Sequence, residues 1–212
     1  PTFNIEDVQK RLSGFFSQDI GGNISTEFLK FSSQKAQRNS NNNAYSEMLL
    51  WAYLQVKDYD NALLLTIAMD KRQKKEGELI LNLVPILITN NEFDKAIDGL
   101  EHIVERHDKS SNYNIARIKI IETKFLKATH TSPPNIEILE IIETDIESML
   151  DEMGLHLMTI GLVEKLANIK AYYTNKPQDA KKWLKKAMNI PGINSTTTSF
   201  LKVQLADIML LT

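Results

Sequence analysis

The chain has no cysteine among its 212 residues. Disulfides, zinc–thiolate sites and thiol catalysis are therefore excluded. It also lacks an excess of positive charge, because 25 lysines and arginines stand against 27 aspartates and glutamates, a formal net charge of −2. A surface that binds nucleic acid usually carries a basic stripe or a basic excess, so the composition argues against nucleic acid as a partner.

Long apolar runs are missing as well. No stretch approaches the roughly 20 apolar residues that a bilayer-spanning helix needs, and no signal peptide is visible. We therefore expect no direct insertion into a membrane. The chain begins at Pro1 without a methionine and ends within an apolar helical pattern that has no stop signal. We expect it to be a piece of a longer protein, so a missing targeting signal says little about its compartment.

Residues that could form a catalytic or metal site are few. The histidines are His102, His107, His130 and His156, and the first two are five residues apart, which does not place them on one helix face as a metal pair. Gly21-Gly22 lacks the strand and the lysine of a phosphate-binding loop. The carboxylates between positions 137 and 152 have the spacing of the solvated face of an amphipathic helix. We therefore expect no enzyme, with no catalytic residue, metal or cofactor.

What the chain does have is an internal repeat. Segments 48–62 and 82–96 each run from an apolar helical stretch through a polar turn to an aromatic residue, an aspartate, a polar residue and an alanine. Phe93 follows Tyr59 by 34 residues, and Ala96 follows Ala62 by the same interval. That interval is the period of the tetratricopeptide repeat (TPR), whose family these segments resemble.

Helical patterns cover most of the chain, and we predict about eleven helices in antiparallel pairs. The TPR resemblance implies an all-α, right-handed superhelical solenoid. Within one array spanning 1–212, we assign 1–43 to an N-terminal helix pair, with Asn4 as its first cap, and 44–108 to two clear repeats. A degenerate helix pair (109–153), a further TPR-like repeat (154–192) and a terminal helix (193–212) follow. Pro85 lies inside a predicted helix and is expected to kink it.

The resemblance also implies which residues pack one helix on the next. A small alanine near the start of the second helix of each repeat lets the first helix approach closely, and the preceding aromatic residue fills the turn. The implied packing residues are Leu49, Tyr53, Tyr59, Ala62, Leu83, Leu87, Phe93, Ala96, Leu100, Ala171, Ala180, Leu184 and Ala187. The chain departs from the family at the turn glycine, which is replaced by Lys57, Asn91 and Asn175.

In TPR arrays, the first helices of successive repeats line a concave groove that binds partners. Carried over, the partner-binding residues are Glu47, Trp51, Leu54, Gln55, Lys165, Tyr172 and Tyr173, and the positions Glu78, Leu81, Pro85 and Ile88 of the second repeat face the same groove. Aromatic residues of this kind are enriched in binding hot spots. The alternative for Trp51, that it packs against the preceding helix, stays open.

These observations favour a noncatalytic scaffold that binds a protein or peptide, and the alternative is a purely architectural segment of a larger multidomain protein. The terminal helix carries Phe200, Val203 and Leu210, which cannot all face one neighbour, so we expect it to expose an apolar strip or to cover it by self-association. The segments 15–25 and 69–72 resemble large bacterial TPR proteins of unassigned function. That resemblance implies the cell envelope or periplasm rather than the cytoplasm.

Overall fold

A computed structural model describes residues 5–19, 21–39 and 42–210. Within these ranges the chain forms eleven α-helices and one short 3₁₀ helix, Leu157–Thr159, and no strand. The helices are α1 (Ile5–Gln18), α2 (Asn23–Arg38), α3 (Asn43–Gln55), α4 (Tyr59–Gln73), α5 (Glu78–Thr89), α6 (Phe93–Arg106), α7 (Asn112–His130), α8 (Ile136–Met153), α9 (Ile160–Tyr172), α10 (Pro177–Met188) and α11 (Ser195–Leu210). The predicted cap Asn4 lies outside the described residues.

This arrangement confirms the predicted all-helical fold and the number of helices. Helix α4 packs on α3 and α5, and α9 packs on α8 and α10. Short loops join these neighbours, so they run antiparallel. The chain divides into two compact units, Pro1–Asn112 and Tyr113–Thr212. The boundaries assigned to the individual repeats and the handedness of the array stay predictions.

The turns that join the paired helices repeat in geometry as well as in sequence. Lys57, Asn91 and Asn175, which replace the family's turn glycine, have left-handed backbones with φ of 59°, 63° and 54°. In the first turn the Asp58 N–H donates to the carbonyl of Tyr53 at 2.9 Å, and 34 residues later the Glu92 N–H donates to the carbonyl of Leu87 at 2.9 Å. A left-handed residue followed by this bond is a common way to end a helix.

The core of the first unit lies where α4, α5 and α6 meet. Ala62 and Ala96 are fully buried, as are the larger side chains Ile80, Leu87, Leu100 and Ile103. The helices approach closely, because a methyl group added at Gly99 would lie 3.1 Å from the side chains of both Ile80 and Leu63. Burial of each such aliphatic side chain contributes about 1.5–3 kcal/mol. Helix α5 continues through Pro85, which is exposed.

The core of the second unit is built mainly from α8, α9 and α10. Its fully buried members include Leu139, Ile142, Ile146, Leu162, Leu166, Ile169, Ala180, Leu184, Ala187, Leu201 and Ile208. Ala180 and Ala187 are spaced seven residues apart on one side of α10, so this face packs directly against the neighbouring helices. Of the implied packing residues, only Tyr53 and Ala171 are half-buried rather than buried.

One expectation about α8 is wrong. The spacing of its carboxylates predicts a solvated face for all of them, but Glu143 is buried, whereas Glu137, Glu140, Asp151 and Glu152 are exposed. The carboxylate of Glu143 accepts hydrogen bonds from Lys170 Nζ at 2.6 Å and from Lys176 Nζ at 2.8 Å. These cations come from α9 and the loop after it, so the pattern within α8 cannot reveal them.

Candidate binding groove between α3 and α5

A groove of about 320 Å³ lies between α3 and α5, with α4 at its base. We call it the α3–α5 groove. Its lining consists of Glu47, Leu50, Leu54, Thr66, Met69, Gln73, Leu79, Asn82, Leu83 and Ile86. Most of these side chains are apolar, and Ile86 is 40% exposed. The groove therefore offers an apolar surface that water reaches.

The rim of the groove is polar, and its polar side chains are available for hydrogen bonds with a ligand. The side chains of Glu47, Gln73 and Asn82 make no hydrogen bond or ion pair with any other residue in the described part of the chain. Thr66, in contrast, is buried and donates its hydroxyl proton to the carbonyl of Ala62 at 2.8 Å. The rim can thus exchange hydrogen bonds with a ligand, while the base is already satisfied.

The wall formed by α5 is held in place by Asp70, which lies near the end of α4 and is 1% exposed. Its carboxylate accepts hydrogen bonds from the backbone N–H of Gly77 at 2.8 Å and of Leu79 at 3.0 Å. These are N–H groups at the start of α5, which have no partner within their own helix. A carboxylate there is also favoured by the helix dipole. The sequence analysis missed this role of Asp70.

The opposite wall is fixed by a second long-range contact. Arg72 Nη2 donates to Ser46 Oγ at 3.0 Å, which joins the end of α4 to the first turns of α3. Ser46 is buried. Asp70 and Arg72 therefore hold α5 and α3 to the same end of α4, and the groove width is set by packed helices rather than by loops.

The structure divides the predicted partner-binding residues among several places. Glu47 and Leu54 line the α3–α5 groove. Gln55 is exposed at the end of α3 but is not among the lining residues. Trp51 turns toward α1 and α2, where its ring makes edge contacts with Phe16 and Phe28 at centroid distances of 5.2 and 6.2 Å. Packing of Trp51 against the preceding helices is the alternative that the sequence leaves open.

The remaining predicted binding residues belong to the second unit. Lys165 is half-buried and its Nζ lies 3.8 Å from Glu122 Oε1. Tyr172 is exposed, whereas Tyr173 packs against the buried core of this unit. Among them, only Tyr172 presents a largely open ring, so its role in binding stays a prediction.

The α5 side of the groove also differs in register from the prediction. The TPR resemblance implies that Glu78, Leu81, Pro85 and Ile88 face the concave side of an array, whereas the α5 residues that line the α3–α5 groove are Leu79, Asn82, Leu83 and Ile86. The groove lies between two helices, which face it with different sides. Positions that correspond by the repeat interval therefore do not both face the same groove.

Outside this groove, the second unit contains a buried network of charges. Besides its two lysines, Glu143 accepts a hydrogen bond from Thr174 Oγ1 at 2.8 Å, and Lys170 Nζ also lies 2.9 Å from Glu147 Oε1. Burial raises the pKa of Glu143, but hydrogen bonds from Lys170, Lys176 and Thr174 outweigh it and lower that pKa below its ordinary value. The network joins α8 to α9, and its charged groups pair with one another.

His102 and His107 lie close together at the end of α6. The rings of His102 and His107 are 6.3 Å apart, and burial, followed by the charges of His107 and Arg106, lowers the pKa of His102. His156 Nδ1 accepts a hydrogen bond from the Met158 N–H at 3.3 Å and so caps the 3₁₀ helix. Among the described residues, no three histidines, aspartates or glutamates are grouped closely enough to hold a metal ion.

None of the helices described is long and apolar enough to cross a membrane.

Proteins similar to this chain are found among solved structures. No family model and no curated protein matches the chain. Among solved structures, it is similar to a Podosopora anserina protein described as a kinesin light chain with nearly identical TPR-like repeats. That match covers 96% of both chains at 13% sequence identity and a TM-score of 0.41. The TPR-like character of the chain rests on its own evidence: paired helices, the recurring turn geometry and the buried alanines at the repeat positions.

Proposed function

We propose that this chain is a noncatalytic scaffold that holds a segment of a partner protein in the α3–α5 groove. TPR-like repeat folds serve in general as protein-interaction scaffolds. One observation supports this particular surface: an accessible apolar lining is bordered by Glu47, Gln73 and Asn82, whose side chains have no partner among the described residues. Pockets that combine apolar area with a few polar groups suit ligand binding.

The chemistry of the groove indicates the kind of segment it takes. The amides of Gln73 and Asn82 both donate and accept hydrogen bonds, so they can pair with peptide N–H and C=O groups whatever the side chain. Leu50, Leu54 and Ile86 would contact an apolar side chain of the ligand. None of the residues that line the groove is a lysine or an arginine. An internal apolar segment is therefore a better ligand than a C-terminal carboxylate.

A random peptide library displayed on phage tests the proposal. Peptides selected on the wild-type protein should bind the Ile86→Glu variant more than about tenfold more weakly, because a charge replaces an apolar side chain that lines the groove. Asn82→Ala should weaken them less. Ile141→Glu is the matched control, because Ile141 is also an exposed isoleucine and lies on α8 of the second unit.

The affinities of the selected peptides for the two variants test whether this groove is the binding surface. Selected peptides that lose affinity for Ile86→Glu but not for Ile141→Glu support the groove as the binding surface. Selected peptides that bind both variants like the wild type would show that the α3–α5 groove is not used.

The architectural alternative has one observation in its favour. On α11, Phe200, Val203 and Leu210 are exposed, the last of them by 87%. An apolar strip of this kind suits packing against another part of a larger assembly. Light scattering of the wild type and of a Phe200→Ser/Val203→Ser variant tests whether α11 mediates self-association. A concentration-dependent mass in the wild type alone would support it, and a monomer in both cases would argue against it.

A further inference from the structure

A second groove lies on the other helices of the first two repeats, between α4 and α6. Its volume is about 430 Å³, and we call it the α4–α6 groove. Its lining consists of Asp60, Leu63, Leu64, Ile67, Lys95, Asp98, Glu101, His102 and Glu105. It shares no residue with the α3–α5 groove. It is therefore a separate surface, which the proposed function does not use.

The base of this groove is apolar and open to water. Leu63 is buried, Ile67 is half-buried, and Leu64 is 65% exposed. Leu64 follows the buried Leu63 on α4, and the other large apolar side chains of this helix are buried or half-buried. A leucine this exposed on a well-packed helix leaves apolar area that a docked side chain could cover, at roughly 25 cal/mol per Å².

The α6 side of the groove is strongly acidic. Asp98, Glu101 and Glu105 follow one another along one face of α6, over about 10 Å at the rise of an α-helix. None of the three forms an ion pair with any residue that the structure describes. They therefore present three uncompensated carboxylates beside the apolar base.

The one lysine of the groove does not neutralise these carboxylates. Lys95 Nζ lies 3.0 Å from Glu92 and 3.5 Å from Asp60, so its charge is already shared by two other acids. His102 lines the same groove, and burial lowers its pKa, which disfavours a positive charge on its ring. The groove thus combines an apolar centre with a net negative border.

We propose that the α4–α6 groove docks a basic amphipathic segment of a partner protein. Such a segment carries lysines or arginines at helical spacing, which would face Asp98, Glu101 and Glu105, and one apolar side chain, which would cover Leu64. Charge complementarity selects this occupant, since the carboxylates repel acidic segments and have no cation of their own. The spacing of the acids along α6 matches residues at i, i+3 or i+4, and i+7 of a partner helix.

The probe for this proposal is a synthetic helical peptide with lysines at i, i+4 and i+7 around a central leucine. Its binding is measured by fluorescence anisotropy with the whole chain. The variant Asp98→Asn/Glu101→Gln/Glu105→Gln should bind it about 3- to 100-fold more weakly, since three exposed ion pairs are lost. Leu64→Ser should weaken it about tenfold by removing the apolar contact. Raised salt should weaken the wild-type complex.

Two controls separate docking from general attraction to acids. The variant Glu137→Gln/Glu140→Gln/Asp151→Asn removes the same charge from exposed positions of α8 and should bind the peptide as the wild type does. A peptide with glutamates in place of the lysines should not bind. Circular dichroism confirms that each variant keeps its helices. Ile86→Glu should leave this binding unchanged, which separates the result from that for the α3–α5 groove.

Three results would overturn the proposal. Equal weakening by the α6 and α8 triple variants would mean that the peptide follows net charge alone. Unchanged binding by Leu64→Ser would mean that no apolar contact forms. Sedimentation of the protein alone gives the third: a dimer that Leu64→Ser dissociates would mean that a second copy, for example through the exposed lysines of α10, occupies the groove instead.

Discussion

Substitution of Gly77 by alanine should be one of the most destabilising single-methyl changes in the first unit. Gly77 precedes α5 with a left-handed φ of +93°. A Cβ at this position would lie 2.8 Å from Ile103 Cγ1 and 3.0 Å from both of its methyl carbons, Cδ1 and Cγ2. Ile103 is fully buried, so its side chain has little room to move away.

The expected loss has two parts. A left-handed backbone costs a residue with a Cβ about 1–2 kcal/mol relative to glycine. Forcing a methyl group into a packed core costs a further 1–3 kcal/mol or so, about 2–5 kcal/mol in all. Gly22→Ala is the matched control, because Gly22 also has a left-handed φ of +68° but nothing closer to its added Cβ than Ser25 Oγ at 4.0 Å. It should lose only the backbone part, about 1–2 kcal/mol.

Urea unfolding followed by circular dichroism measures both losses. A double-mutant cycle with Ile103→Ala sharpens the test, because removing the clashing carbons should make Gly77→Ala less costly in that background than in the wild type. Equal losses for Gly77→Ala and Gly22→Ala, or a cycle with no coupling, would refute the steric part of the reasoning. No loss for either variant would refute the backbone part.

Four further substitutions test the contacts and turns that hold the helices together. Asp70→Ala should cost about 1–3 kcal/mol in urea unfolding, because the N–H groups of Gly77 and Leu79 lose their acceptor; unchanged stability would mean that water replaces it. Lys57→Gly should stabilise the chain by about 1 kcal/mol, and Asn91→Gly by less, because asparagine tolerates the left-handed backbone better than lysine does. Glu143→Gln should flatten the acid limb of the stability profile. The lowered pKa of Glu143 means that its contribution is complete above the ordinary glutamate range and is lost as pH falls through the folded-state value; an unchanged profile in thermal unfolding would count against the network.

The repeat interval predicts the fold well because it reflects recurring backbone geometry. The bonds from Asp58 to Tyr53 and from Glu92 to Leu87 are 34 residues apart, as are the alanines that follow each turn. A helix boundary depends on such local bonds, and the pattern they follow along the sequence predicts the number of helices.

The candidate site is less accessible to sequence analysis, because a groove belongs to two helices at once. The interval of the repeat relates α3 to α5, but α3 faces the groove with Leu50 and Leu54, and α5 faces it with Asn82 and Ile86. Carrying positions from one helix to the next at a fixed interval therefore does not give the α5 residues that line this groove. Trp51 shows the same limit, since only the position of α1 and α2 decides which side of α3 is covered.

Glu143 shows why charge patterns within one helix mislead about burial. Helix α8 carries carboxylates on several sides, and by spacing alone Glu143 resembles Glu140 or Glu147. A carboxylate can be buried only where cations and hydrogen-bond donors contact it. Here these are Lys170 and Lys176, 27 and 33 residues further along the chain.

The α4–α6 groove shows the opposite case, acids that stay exposed. Asp98, Glu101 and Glu105 have similar helical spacing to the acids of α8, but no described cation forms an ion pair with them. The two sets of acids look alike in sequence, and only the position of the lysines distinguishes a structural network from a surface that can attract a basic partner.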